Sequence, residues 1–595
     1  MNGIRFLFFI ALIFLAGCYG GNREPLAELR KAENGNPYYG GVFHLNELEN
    51  FRNLFPLSVS EVTSSRITSQ VYENLIRFNQ EDLTIEPSLA KDWDISDDGL
   101  TYTFYLRENV QYHEDPCFGE QKTRKMTAHD VKYNFDKLCE PGPLNKGYWV
   151  FQHTVKGAQE YYQSVQEEEP LEGGVPGVTV IDDHTIEIEL QEPFGGFLNL
   201  LGTSFTYIYP PEAFEKYGRD MRTHAVGTGP FKLKYVMEDE VVILHRNDNY
   251  WRTDEYGNQL PYLDAVKFSF IPDQKTEILG FRKGELDMIY QFPVEYRRYI
   301  VDANDNLLKG YENFQLQVTP GLSTQYYGFL HPDEIFQDVN LRKAFNYAVN
   351  REQLVRYTLK GEGIAGHHGL LPPAFSDVPV EEVEGYHFDP EKALKYMEKA
   401  GYPEGEGFPE IKLQLNSGGE RNILIAEAVQ RMLEDNLNIR IRLDMMPFAQ
   451  HLENVERGRA NFWRSGWIAS YPEAEYFLNL FHSVHVPETL DEHAYLNSFR
   501  YESAAFDSIF EIALRTVDTE ERNRLYMKAD QQAMDDAVMM PLFYSQAYRL
   551  LQPYVRNFPV NAMEHRDLAV VYFDPEYAKE ITEKPLLPKE KTNSH

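Results

Sequence analysis

The stretch from residue 411 to residue 443, IKLQLNSGGERNILIAEAVQRMLEDNLNIRIRL, decides the fold class. Ile411, Leu413 and Leu415 alternate with Lys412 and Gln414, the period-two signature of a strand. A helix is expected from about Arg421, and Ile439 to Leu443 reads as a second strand. Strand, helix and strand in that order make a parallel βαβ unit, because parallel neighbours need a long crossover connection.

The sequence on either side repeats this alternation. Leu341, Ala344, Phe345 and Ala348 fit one helical stripe, and Asn350 is placed to cap a second helix with Gln353 in the capping-box position. Asp389-Pro390 opens a further helix that closes at Gly401, with Pro403 just beyond. From about Tyr326 onward the chain is therefore α/β. The first half is richer in strands and loops. Tyr102, Phe104 and Leu106 share one face of a strand, and Ile186, Ile188 and Leu190 repeat the pattern with Glu187 and Glu189 turned outward. Between them Thr127 reads as the N-cap of a helix whose buried face is Val131, Phe135 and Leu138.

The N-terminus bears on the compartment. Arg5 precedes an apolar run, Phe6 to Leu15, that is too short to span a bilayer as a mature helix. Leu15-Ala16-Gly17-Cys18 follows, the lipobox pattern, so cleavage before Cys18 and lipidation of its thiol are expected. Several acyl chains on one residue would anchor the protein stably. The competing reading is an ordinary cleaved signal beside an incidental cysteine. Residues 18–37 are polar and read as a tether, and 576–595 as a charged, disordered tail. What lies between is too long for a single core, so two or three lobes are expected.

The formal charge is −34, from 92 acidic and 58 basic residues, which disfavours nucleic acid and anionic lipid as main partners. Three cysteines exist. With Cys18 assigned to lipid, Cys117 and Cys139 form an even pair in an oxidising compartment, and a disulfide between them is the expectation, two free thiols the alternative. Catalytic signatures are weak. Gly361-Glu362-Gly363-Ile364-Ala365-Gly366 matches a dinucleotide fingerprint in letters but follows a helix, where that motif must follow a strand. Gly227-Thr228-Gly229-Pro230 is too short for a phosphate loop and lacks its lysine. No nucleophile elbow or His-Glu-x-x-His is present, and His367-His368 lacks the cysteines or acidic cluster a metal would need. Neither an enzyme, nor a metal, nor a cofactor is expected.

Several segments carry a family resemblance across nearly the whole mature chain. They are Val71-Tyr72-Glu73-Asn74-Leu75, Glu86 to Trp93, Asp98 to Phe104, and Thr127 to Val131 with His129 where an acidic residue is more usual. Gly227 to Phe231, Asn249-Tyr250-Trp251, Phe336 to Ala344, Asn350-Arg351 and Pro541 to Tyr544 follow in order. Together they resemble the peptide-type extracellular solute-binding proteins of ABC transporters, family 5. The resemblance implies a periplasmic-binding-protein clamp of type II, two-lobed, with an additional domain. By it the first lobe comprises 38–70, 205–320 and 541–575, the extra domain 71–204, and the second lobe 321–540, with a cleft that closes by hinge motion.

The resemblance also places the site. One segment is the loop Thr63, Ser64, Ser65 and Arg66; the other runs from Arg464 through Gly466, Trp467 and Ser470 to Tyr471. The position of Trp467 lines the cleft in peptide-binding relatives, and Arg464 suits a ligand carboxylate. At Ser470 the family usually has an aspartate that pairs with a peptide's free amine, so the amine is either met by Glu473 or Glu475, or the ligand has none. The implied function is capture of an oligopeptide or dipeptide for an ABC permease by a lipid-anchored monomer. Alternatives are an amine-free solute such as a nickel chelate or oligosaccharide, a sensor or folding aid, and, least supported for want of a nucleophile or metal, a hydrolase.

Overall fold

The computed structural model of the chain describes residues 29–292, 294–302, 304–417 and 420–577. The lipobox, Cys18 and most of the tether and tail lie outside the described residues.

The βαβ unit forms as its sequence pattern requires. Strand Ile411–Asn416 is joined through helix Glu420–Leu437 to strand Ile441–Met446, and the two strands pair in parallel with Ile411 opposite Ile441. The second strand starts two residues later than expected, because Asn438 takes a left-handed backbone (φ 55°) as the chain leaves the helix. These strands belong to a seven-stranded sheet. Its order is Met288–Tyr290, Met539–Leu551, Gln315–Phe329, Phe462–Ile468, Ile411–Asn416 and Ile441–Met446, and Ile364–Ala365 adds to the Met539–Leu551 strand.

Two strands of this sheet are unusually long, and both are interrupted. Gln315–Phe329 pairs antiparallel with Met539–Leu551 from Gln315 opposite Leu551 to Pro320 opposite Gln546. The ladder breaks there and resumes at Thr324 opposite Tyr544. On the near side of the break, Tyr548 and Leu550 bury against Ile278, Phe281 and Ile289. On the far side, Tyr327, Phe329, Met540 and Leu542 bury with Leu413, Leu415 and Phe462 in a separate cluster. One pair of strands thus serves two separate cores along its length, while Leu322, Tyr326, Met539 and Leu551 bury in the large cluster that extends into the first half, in keeping with a two-lobed α/β protein.

Two further sheets build the first half. Strands Phe231–Met237, Val241–Arg246, Ala265–Phe270 and Val42–Glu47 form one, and its last pair is parallel. Ala90–Ile95, Thr101–Leu106, Thr185–Glu189 and Val178–Asp182 form an antiparallel one. Tyr102, Phe104, Leu106, Ile186 and Ile188 all face its core. Helix Ala128–Leu138 starts at Thr127, whose N–H donates to the Asp130 carboxylate (2.8 Å), and buries Val131, Phe135 and Leu138.

Several of the recognisable sequence motifs converge on one buried carboxylate. Glu73 accepts from Thr228 Oγ1 (2.7 Å), Tyr250 Oη (2.8 Å) and Trp251 Nε1 (3.0 Å). A Cβ on Gly227 would lie 2.1 Å from the Val71 carbonyl oxygen, so that position must be glycine. Three separated segments are tied at this point, and each supplies what an otherwise unpaired buried carboxylate requires.

One expectation fails. Cys117 and Cys139 are both free thiols. Cys139 ends the 11-residue helix Ala128–Leu138, buried near Asp136 and Lys132. Cys117 lies by Asp115, Glu212 and Lys216, and Glu212 is joined through Arg124 to Asp130 in the helix's first turn. The two cysteines therefore belong to opposite ends of a helix about 16 Å long, beyond what a disulfide spans. Thiol titration of lipid-free protein in denaturant, without reductant, will count two reactive groups from these cysteines; zero would restore the disulfide.

Candidate ligand-binding site

The strand Phe462–Ile468 carries the site along both of its faces. Phe462 is fully buried in the second-lobe core, and two residues on, Arg464 shares its face at the edge of that core. The Arg464 guanidinium donates to Gln325 Oε1 (2.7 Å) and Asn416 Oδ1 (3.3 Å), both uncharged amides. Burial and the nearby Arg421 guanidinium lower its pKa, while the Tyr327 and Tyr326 hydroxyls oppose the shift. A small pocket, with room for about one water molecule, opens beside it, bordered by Gln325, Tyr327, Asn422, Ile425 and Phe543. Gly466 makes this geometry possible, because a Cβ there would lie 2.6 Å from the Gln325 amide that orients Arg464.

Trp467 points to the other face. Its indole N–H donates to the Tyr476 carbonyl (2.9 Å), and its ring lies 5.3 Å from Tyr476 and 5.9 Å from the exposed Tyr495. Ser470 is exposed, with its hydroxyl 2.9 Å from the Tyr476 hydroxyl. Tyr471 is buried, bonded to Glu475 (2.7 Å), and its ring faces Trp149 at 6.4 Å.

Glu473 and Glu475 are not available to a ligand. Glu473 is buried, paired with Arg522 (3.0 Å) and accepting from the Asn199 amide (2.8 Å). Burial raises its pKa, against the pull of Arg522. Glu475 accepts from Tyr471 and from Asn479 (3.2 Å), and burial pushes its pKa up to about 7.

The 63–66 segment is a helix, Val62–Thr68, where a loop was expected. Glu61 caps it by accepting from the Ser64 N–H (2.9 Å), a role that a run of serine and threonine conceals in sequence. Ser64 is fully buried and accepts from the Arg52 and Asn53 N–H groups (3.2 Å each), while Thr63 is buried and Ser65 half-buried. Arg66 pairs with Glu47 (2.6 Å) and stands 4.7 Å above the Tyr290 ring. Ser64 and Arg66 are thus engaged in their own lobe, as Arg464, Trp467 and Ser470 are in theirs.

Gln325, Asn416 and Arg421 were not legible as site residues. Arg421 could have been found by position. It opens the helix after a parallel strand, at the carboxyl end where open α/β sheets bind ligands. His367 lies 2.8 Å from Glu352 and 4.5 Å from the His387 ring, and among the described residues no group of three or more histidine, cysteine or acidic side chains is placed for a metal. No described helix is long and apolar enough to cross a membrane.

Fold and site together define a two-lobed binding protein. The profile described as "Bacterial extracellular solute-binding proteins, family 5 Middle" matches residues 84–486, and the chain belongs to that family. Its relatives include the glutathione-binding protein GsiB of Salmonella paratyphi A, 27% identical over 499 residues, covering 83% of this chain and 87% of the relative. Heme-binding protein A of Haemophilus influenzae is 29% identical over 514 residues, with coverage of 84% and 87%. The fold matches that of the periplasmic binding protein DppA from Helicobacter pylori in complex with peptide STSA. That match has a TM-score of 0.72 and 24% identity, covering 90% of this chain and 98% of the other.

Glu475 yields a pH test. Its folded pKa lies above the value of 4.5 expected when unfolded, so its favourable contribution is complete below about pH 4.5 and is lost as pH rises through about 7. Glu475→Gln removes this dependence. Its unfolding free energy relative to the parent will therefore improve between pH 4.5 and 8, by on the order of 3 kcal/mol. Parallel pH profiles for the two proteins would refute the assignment.

Proposed function

We propose that the protein is the substrate-binding component of an ABC importer, capturing peptides in a cleft between lobes and presenting them to a membrane permease. The observation that carries this reading is a half-buried arginine, Arg464, whose side-chain hydrogen bonds among the described residues go to amide oxygens, on the strand that presents Trp467 beside Tyr476 and Tyr495. A guanidinium fork suits a carboxylate, and flat aromatic faces suit variable side chains. The names of relatives and structural neighbours support a small-solute ligand, and one neighbour is described in complex with a peptide. A heme-named relative at 29% identity keeps a non-peptide solute as the second reading.

In this proposal the lobes divide as 38–70 with 205–320 and 541–575, and 321–540, with 71–204 as the extra domain. The ladder break between Pro320 and Thr324 supports a hinge at that boundary. Lipid on Cys18 keeps a monomer near its permease outside the cytoplasmic membrane.

Native mass spectrometry of lipid-free protein, followed by denaturing release, will yield a set of peptide masses. A single non-peptide mass would put the second reading first. Trp467→Ala will weaken binding of the released peptides about tenfold, or ~1.4 kcal/mol, by calorimetry. Unchanged affinity would remove Trp467 from the cleft.

A further inference from the structure

The segment 71–204, the extra domain of the division proposed above, touches both lobes, but not in the same way. Towards the first lobe, backbone hydrogen bonds cross the boundary at several separate places. The Gly229 N–H donates to the Val71 carbonyl (2.9 Å), His113 to Gly227 (2.8 Å), Lys146 to Leu57 (2.8 Å) and Ile208 to Glu73 (3.0 Å). The buried Glu73 carboxylate draws Thr228, Tyr250 and Trp251 across the same boundary. Towards the second lobe, a single backbone hydrogen bond crosses among the described residues, from the Gly195 N–H to the Leu514 carbonyl (3.1 Å). Beside it lie an exposed ion pair, Arg515 with Glu192 (3.3 Å), and the Trp149 ring facing Tyr471.

This second contact is built round one carboxylate. Asn199 of the extra domain is buried, and its amide donates to Glu473 (2.8 Å). Glu473 is buried too, and Arg522 holds it from its own lobe (3.0 Å) while donating to the Thr516 and Val517 carbonyls (3.3 and 2.9 Å). Gly195 packs against the same stretch. A Cβ there would lie 2.6 Å from the Thr516 carbonyl oxygen and 2.8 Å from the Arg522 guanidinium, so only glycine allows the approach. Parting these surfaces leaves the Glu473–Arg522 pair whole in one body, so no buried charge is stranded. Water can then replace the groups that Asn199 and Gly195 lend.

We propose that Asn199 and Glu473 are positioning residues for ligand capture: the extra domain moves with the first lobe, and their hydrogen bond forms as the cleft closes and breaks as it opens. Glu473 lies three residues beyond Ser470, on the segment that carries Trp467, so the bond acts on the cleft wall without touching the ligand. A bond made only in the closed form raises the closed fraction, and with it the apparent affinity for any solute the cleft accepts. The proposal rests on the lobe division given above and not on the peptide reading.

Amide hydrogen exchange of lipid-free protein, refolded after denaturing release of any ligand, tests this at two amides. Opening breaks the Gly195 bond and leaves the Gly229 bond in place, so Gly195 of the parent is expected to exchange faster than Gly229 relative to intrinsic rates. Asn199→Ala is expected to speed Gly195 at least about tenfold, the loss of one hydrogen bond to a charged group, and to leave Gly229, His113 and Lys146 unchanged. Gly195→Ala removes no hydrogen bond but sets a methyl against the Thr516 carbonyl. It is expected to speed exchange at residue 195 with the same selectivity, and it carries the test if Asn199→Ala does not fold. A Gly195 amide as slow as Gly229 in the parent, or unchanged in the folded variant, overturns the proposal. So does equal acceleration at both amides, the mark of a general loss of stability. Acceleration at Gly229 alone overturns the lobe division with it. No ligand is present, so the peptide reading stands under every one of these outcomes.

Discussion

The structure depends on the pairing of two long strands that must satisfy two cores at once. Gln315–Phe329 and Met539–Leu551 hydrogen-bond along most of their length, but a sheet cannot change the body it packs against without a break in its ladder. The break between Pro320 and Thr324 meets that need. Pro320, at the last pair before the break, has no N–H to lose. The ladder on one side fixes Tyr548 and Leu550 in one core, and on the other Met540 and Leu542 in a second. Gln325, which orients Arg464, directly follows Thr324 where the ladder resumes, so the candidate site inherits its position from the place where the sheet changes partners.

Against this frame, buried polar groups separate into those that hold the fold and those left over. Arg351 is fully buried, donating to the Asn346, Val349, Pro541 and Tyr386 carbonyls and the Asn346 amide. Arg342 donates to the Phe336, Gln337, Asp536 and Ala537 carbonyls. Both stand in segments that carry the family resemblance, and both are consumed in closing backbone acceptors at the ends of helices and strands. Asp530 plays the converse part, accepting from the Leu370 and Leu371 N–H groups. Arg464 differs in kind. It makes two contacts to side-chain amides where Arg351 makes five, and it borders a pocket. A half-buried arginine with so few partners is what the proposed contact with a ligand carboxylate requires.

How much of this was legible follows from which residues act locally. The βαβ unit, the Thr127, Asn350 and Asp389 caps and the strand faces at 101–106 and 185–189 depend on neighbours within a few positions, and all appear as the sequence pattern implies. The Arg464–Trp467 segment was identifiable by resemblance. What sequence could not show were pairings across hundreds of residues. Glu73 with Thr228 and Tyr250, and Arg566 with Glu47, belong to no local pattern. The cysteine expectation failed for the same reason, since an even count in an oxidising compartment says nothing of the helix that separates the two thiols.

The loop from 470 to 476 explains why a serine is consistent with its surroundings. Glu473 and Glu475 are drawn inward, one to bridge Arg522 and Asn199, the other to bind Tyr471, whose ring faces Trp149. These contacts fasten the site segment to the region around residues 149–199, so its carboxylates are structural. Burial raises the pKa of both, and each carboxylate raises the other's partner tyrosine as well. A third carboxylate at 470 would add like charge to a region that already ionises two groups with difficulty. Serine keeps the hydrogen bond to Tyr476 without that penalty, while Glu473 and Glu475 serve to anchor the loop.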